Sequence, residues 1–177
     1  MHYFGQIPRN LNRIQIFNKN KSLNLLADIK QGLATCNNDL FLRAWYEVSN
    51  KGFGYRMITP EQAFESAYKW FPYNKGGGYG KWYGNNEYIV NWFKGGKDIH
   101  AYSNLPLDYS GAPVRAKRFY FREGITYGLI SSFGFSARRV FEGFIFDVGG
   151  SMIFPDLSMN KLQGFLCSNL TKNFIAI

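Results

Sequence analysis

Residues Arg118–Gly150 read RFYFREGITYGLISSFGFSARRVFEGFIFDVGG. Strand-like runs at Arg118–Arg122, Ile125–Tyr127, Phe135–Val140 and Phe144–Val148 are punctuated by Gly124, Gly128, Gly134, Gly143, Gly149 and Gly150. Short runs rich in aromatic and β-branched residues, bounded by glycine, predict strands joined by close turns. Upstream, Leu40–Val48 alternates Arg43 and Glu47 with Leu42, Ala44, Tyr46 and Val48, the pattern of a half-buried strand. Two more strands are expected at Tyr68–Tyr73 and at Glu87–Trp92, where Tyr88, Val90 and Trp92 share a face.

Helix signals are fewer. In Thr59-Pro60-Glu61-Gln62, Thr59 can cap, Pro60 suits the first helical position and Gln62 can complete a capping box, so a helix is expected to about Ala67. Ser22 is expected to cap a short helical turn carrying Leu23, Leu26 and Ile29, ending before Gly32. Ser158 is expected to cap a helix with Leu162, Phe165, Leu166 and Leu170 on one face. The glycine-rich Gly76–Gly84 and the aperiodic Lys94–Ala116 read as loops, and a long loop inside a compact domain points to function or mobility. These elements predict one α+β domain over residues 22–177. It has a twisted, mostly antiparallel sheet, a few short helices and long basic loops, and follows a polar lead-in, Met1–Lys21.

The chain has 177 residues, with 21 Lys and Arg against 12 Asp and Glu, a net charge of +9. Such an excess favours a polyanionic partner, since each neutralised phosphate releases a counterion. A basic surface that serves only solubility has the same composition. Tyr (12) and Trp (4) add flat faces with polar tips, suited to protein interfaces, sugars and nucleobases alike. Cys36 and Cys167 are far apart and, with only His2 and His100, make no metal-site spacing. The start of the chain lacks a signal-peptide run and no stretch of 18 apolar residues occurs, so a cytoplasmic protein without a membrane partner is expected.

Catalytic patterns fail on detail. In Gly76-Gly77-Gly78-Tyr79-Gly80-Lys81-Trp82 the Gly-Lys pair is followed by Trp82 rather than Ser or Thr and preceded by Lys75 where a P-loop has Gly. Gly78, Gly80 and Gly84 miss the dinucleotide spacing. Neither histidine sits in a nucleophile's context. Asp147, beside Gly149-Gly150, reads first as a residue that bonds the amides of its own turn. No catalytic group, metal or cofactor is expected in this chain.

Basic residues gather where loops are expected. Arg115, Lys117, Arg118, Arg122, Arg138 and Arg139 fall within one segment, and Lys69, Lys75 and Lys81 flank Trp70, Phe71, Tyr73, Tyr79, Trp82 and Tyr83. Interleaved cations and rings suit a nucleic-acid surface, where cations position phosphates and forked side chains read base edges. A solvated charged face over an aromatic core is the plainer reading of the same pattern.

Several segments, in order, resemble a known family. Ile29-Lys30-Gln31-Gly32-Leu33-Ala34-Thr35 with Asn38-Asp39-Leu40-Phe41-Leu42-Arg43 resembles the opening of the specificity domain in PglX-type adenine methyltransferases of BREX phage-defence systems. The resemblance continues through Lys69–Gly77, Lys81–Asn85, Val90-Asn91-Trp92, Tyr120–Thr126, Phe135–Arg138, Gly143–Val148 and Leu162–Ser168. Cys36 stands where that family usually has Gly or Ser, Tyr127 replaces a usual Trp, and Phe133-Gly134 differs slightly.

The resemblance implies a target-recognition domain that reads duplex DNA for a catalytic domain elsewhere in a parent methyltransferase. That parent is expected to bind S-adenosylmethionine and methylate adenine through an Asn-Pro-Pro-aromatic motif, whereas this chain has no adjacent prolines. Phosphate contacts are expected from Lys69, Lys75, Lys81, Arg115, Lys117 and Arg118, and positioning or base contacts from Arg43, Arg122 and Arg138. The alternative is a protein-interaction module that docks a defence-complex subunit through its Tyr and Trp surface. A sugar-binding module is a distant third, unsupported by the positive charge.

Overall fold

A computed structural model describes residues 22–128 and 135–175; the lead-in Met1–Lys21 and the Phe133-Gly134 difference lie outside the described residues. The expected single sheet is two four-stranded sheets. The first has order β1 (Ala27–Lys30), β8 (Met152–Pro155), β5 (Gly124–Tyr127), β6 (Ala137–Val140), antiparallel throughout. The second has order β2 (Leu42–Ala44), β4 (Tyr88–Asn91), β3 (Trp70–Asn74), β7 (Ile145–Phe146), antiparallel except for the parallel pair β3–β7. Among the described residues five short α-helices accompany them: α1 (Asn38–Phe41), α2 (Pro60–Glu65), α3 (Lys97–Tyr102), α4 (Met159–Leu166) and α5 (Asn169–Ile175). The α+β class holds.

The pleat of β8 explains the layering, because successive side chains point to opposite faces. Met152 and Phe154 join the main core with Leu33, Phe71, Tyr73, Val90, Tyr120 and Phe146. Ile153 faces the other way, to Ala27, Ile125, Ala137, Leu162, Leu166 and Cys167. The first sheet is therefore covered by α4 on one face and by the aromatic core on the other.

Helix α2 starts as its sequence dictates: Thr59 Oγ1 accepts from the Gln62 amide at 3.2 Å, Pro60 opens the helix, and Gln62 Oε1 accepts from the Ile58 amide at 3.0 Å. Other expectations need correction. Only Leu23–Leu25 forms a helical turn, and Ile29 belongs to β1. Leu40–Val48 divides into α1, β2 and a 3-10 turn at Trp45–Glu47. The loop Lys94–Ala116 contains α3. Arg118–Arg122 is not a strand: a 3-10 turn at Lys117–Phe119 lies between left-handed Ala116 (φ 56°) and Phe121 (φ 67°). On α4, Leu162 and Leu166 are buried but Phe165 is exposed, and Leu170 is exposed on α5.

Two close approaches lock the sheets together. A Cβ on Gly32 would lie 1.9 Å from the Phe146 carbonyl oxygen, where the Leu33 amide donates to that oxygen at 2.8 Å. Gly76 turns with φ 82° against the Gly149 backbone, which a Cβ would meet at 2.5 Å. Cys36 also takes φ 62°, a conformation that glycine adopts without steric cost.

Candidate nucleic-acid interface

Three cations converge on one ring. Phe119, at the end of its 3-10 turn, is buried and packs against Phe154 with centroids 4.9 Å apart. Lys30 Nζ lies 5.0 Å from the Phe119 centroid, Arg118 Cζ 5.0 Å and Arg122 Cζ 5.1 Å; Arg122 is also 5.3 Å from the Phe154 centroid. The negative face of an aromatic ring attracts each cation and offsets part of their mutual repulsion. Arg118 and Arg122 are exposed, and Lys30 is half-buried at the end of β1. A carboxylate tempers the group: Asp28 Oδ1 sits 2.7 Å from Lys30 Nζ. The Lys30 hydrogen bond, reinforced by the charges of Lys30, Arg118 and Arg122, lowers the Asp28 pKa.

The remaining expected contacts are spread over the molecule. Arg43 and exposed Lys69 approach the Trp70 ring, at 5.6 and 5.8 Å from its centroid. Arg43 Nη1 donates to the Asp39 and Leu42 carbonyls at 2.6 and 2.5 Å. Arg43 and Lys75 line one open cleft with Asp39, Glu47 and Glu87, an acidic company that opposes a polyanion there. Lys75 Nζ is also 3.8 Å from Asp147 Oδ2.

Lys81 donates to the Cys167 carbonyl at 2.6 Å and Lys117 to the Leu107 carbonyl at 2.6 Å. Burial lowers the Lys117 pKa. Arg115 is half-buried, and its carbonyl accepts the Tyr120 hydroxyl at 2.6 Å. Arg138 is fully buried.

Of the nine sequence-selected residues, Arg118 and Arg122 thus meet in one exposed cluster. Lys30 completes it and was missed. Its signal was available in Asp28-Ile29-Lys30, a polar–apolar alternation hidden by reading the segment as helical.

A second surface is aromatic. Trp45, Tyr55, Tyr83 and Phe141 are each more than half exposed and, with Tyr88, line an open groove of about 350 Å³. Arg56 and Glu142 add one charge of each sign. Tyr83 and Phe141 contact each other at 5.6 Å between centroids.

Asp147 acts within its turn, as its position beside two glycines implied: Oδ1 accepts from the Gly149 amide at 2.6 Å. Among the described residues no group of His, Cys, Asp and Glu side chains is arranged to hold a metal ion. No helix among them is long and apolar enough to cross a membrane.

No family model matches the chain. It is 38% identical over 154 residues to the adenine-specific methyltransferase PglX of Lacticaseibacillus casei (strain Zhang), covering 84% of this chain and 12% of that protein. It is 40% identical over 116 residues to the adenine-specific methyltransferase BrxX of Escherichia coli O9:H4 (strain HS), covering 66% of this chain and 8% of that protein. The chain is homologous to a segment of PglX- and BrxX-type adenine-specific methyltransferases. Both relatives are many times longer than the matched segment, so the chain corresponds to a small part of each.

Proposed function

We propose that this chain is a target-recognition domain that docks on duplex DNA for a PglX-type adenine-specific methyltransferase in BREX-like phage defence. The observation that carries the reading is the convergence of Lys30, Arg118 and Arg122 on Phe119, two of them exposed, with Asp28 paired to Lys30. Cations so held suit phosphate oxygens, and phosphate contacts fix the register from which base edges are read. Exposed Lys69 extends the same chemistry at Trp70. Catalysis and S-adenosylmethionine binding belong, in this reading, to the remainder of the parent protein.

The test is anisotropy binding of the chain to short duplexes at several salt concentrations. Binding that weakens steeply with salt supports the reading, and the slope counts the phosphates engaged. Absence of binding at low salt sinks it.

The aromatic groove favours a second reading, in which this face seats the catalytic part of the same parent. An exposed, mixed-charge aromatic surface fits a protein interface better than a phosphate backbone. Trp45→Ser with Phe141→Ser is expected to weaken association with the separately purified catalytic part while leaving the DNA salt slope unchanged. Unaltered association counts against this second reading.

A further inference from the structure

Arg138 and Arg139 are neighbours on β6 with opposite circumstances. Arg139 is satisfied: Nε donates to Glu123 Oε1 at 2.8 Å and Nη1 to Asn160 Oδ1 at 3.0 Å. Arg138 is 1% exposed, yet only Nη1 is partnered, by the Gly78 carbonyl at 3.0 Å. Its Nε and Nη2 have no hydrogen-bond partner. Leaving buried donors unmet is costly, and more so where the group is charged. An apolar side chain of similar volume would fill the space without that cost. Burial also lowers the Arg138 pKa, while Glu87 opposes the shift.

What covers Arg138 is the Gly76–Gly84 loop, which runs along the outer edge of β6. Trp82 bridges to Arg138 in parallel, and the Arg139 amide donates to the Trp82 carbonyl at 2.8 Å. A few long side chains pin the strap: Lys81 to the Cys167 carbonyl at 2.6 Å, Gln163 to the Trp82 carbonyl at 2.7 Å, and Asn85 to the Gly76 carbonyl at 3.0 Å. Its outer side is open, with nothing within 4 Å of a Cβ on Gly78 or Gly84. Trp82 and Tyr83 stand exposed on it.

We propose that Arg138 is a masked acceptor-binding residue. Lifting of the Gly76–Gly84 strap then delivers its Nε–Nη2 edge to a pair of adjacent acceptors on DNA. This deepens the DNA-docking reading and rests on it. The edge matches two oxygens of a phosphate or the O6/N7 pair of a guanine. Exchange of the Gly78 carbonyl for such a pair satisfies donors that the closed form leaves unmet.

The experiment follows arginine Nε–H signals by NMR in the isotope-labelled full chain, with Arg138 assigned by Arg138→Lys. Inorganic phosphate is added first, then duplexes carrying guanine or 7-deazaguanine. A shift of the Arg138 signal with phosphate alone assigns the site to a phosphate. A shift with guanine duplex that 7-deazaguanine abolishes assigns it to a base edge, and Arg138→Lys is then expected to lose a discrimination of about tenfold or more. If Arg118 and Arg122 move with DNA while Arg138 stays fixed, the masked site is overturned and the docking reading stands. If Arg138 moves with phosphate but no arginine moves with DNA, the site stands as an anion site and its DNA role falls with the docking reading. No movement with either ligand overturns both.

Discussion

The Tyr73 hydroxyl lies 2.7 Å from Asp147 Oδ2 and 2.9 Å from the Leu33 carbonyl oxygen, tying β3 to Leu33 and Asp147, which bridge to each other. Burial first, and then the Asp147 charge, raise the Tyr73 pKa well above its ordinary value, so the hydroxyl stays a donor. The other Asp147 oxygen holds the Gly149 amide, and the Asp147 amide donates to the Asn74 carbonyl at 2.9 Å. Tyr73→Phe removes the hydroxyl donor from Asp147 Oδ2 and leaves the buried Leu33 carbonyl with the Val148 amide, at 3.2 Å, as its donor. A loss of about 1–3 kcal/mol is expected in urea denaturation, with DNA affinity of the remaining folded protein unchanged. An unaltered midpoint would show that this tie contributes nothing.

Phosphate contacts have a signature separable from stability. Arg118→Ala and Arg122→Ala are each expected to lower DNA affinity for every sequence tested and to flatten the log-affinity against log-salt slope by about one unit. Asp28→Asn removes the carboxylate that tempers the same cluster, so tighter binding at low salt is expected. Equal slopes in wild type and both arginine variants would move the interface elsewhere.

Lys81 has the opposite profile, because its ammonium is spent on the Cys167 carbonyl at the end of α4. Lys81→Ala is expected to destabilise the fold by about 1–2 kcal/mol and to speed amide exchange across residues 76–84, leaving the salt slope unchanged. A flattened slope with normal exchange would return Lys81 to the phosphate contacts.

Legibility followed the locality of each signal. Helix α2 was readable because Thr59, Pro60 and Gln62 act within a few residues of one another. Strand β8 was missed because Met152-Ile153-Phe154 is buried on both faces and shows no alternation. Helix α3 is preceded by Gly96, with φ 84° and no side chain to cap it, so it left no start signal. At Arg118–Arg122 aromatic density mimicked a strand, whereas Phe119, Tyr120 and Phe121 all serve the core from a turn. Charge density identified Arg118 and Arg122. Lys30 reaches them only through the pairing of β1 with β8, whose Phe154 packs against Phe119, a relationship set by tertiary structure.

His100 supplies a pH dependence. Its ring on α3 is buried, and neither nitrogen makes a hydrogen bond of good geometry. Burial, then the charge of Lys117, lower its pKa below the ordinary histidine value of 6.5; the Pro106 carbonyl and Asp108 raise it in part. The unfolded chain therefore binds a proton more readily than the folded one. The stability that the neutral ring contributes is complete above about pH 6.5 and is lost as pH falls from there toward the lowered folded value. His100→Leu, which keeps an apolar ring-sized filler without the titration, is expected to flatten the slope of unfolding free energy against pH in that acidic window. Urea denaturation of both proteins across the window checks it. Parallel slopes would mean that His100 takes up its proton in the folded state as easily as in the unfolded chain.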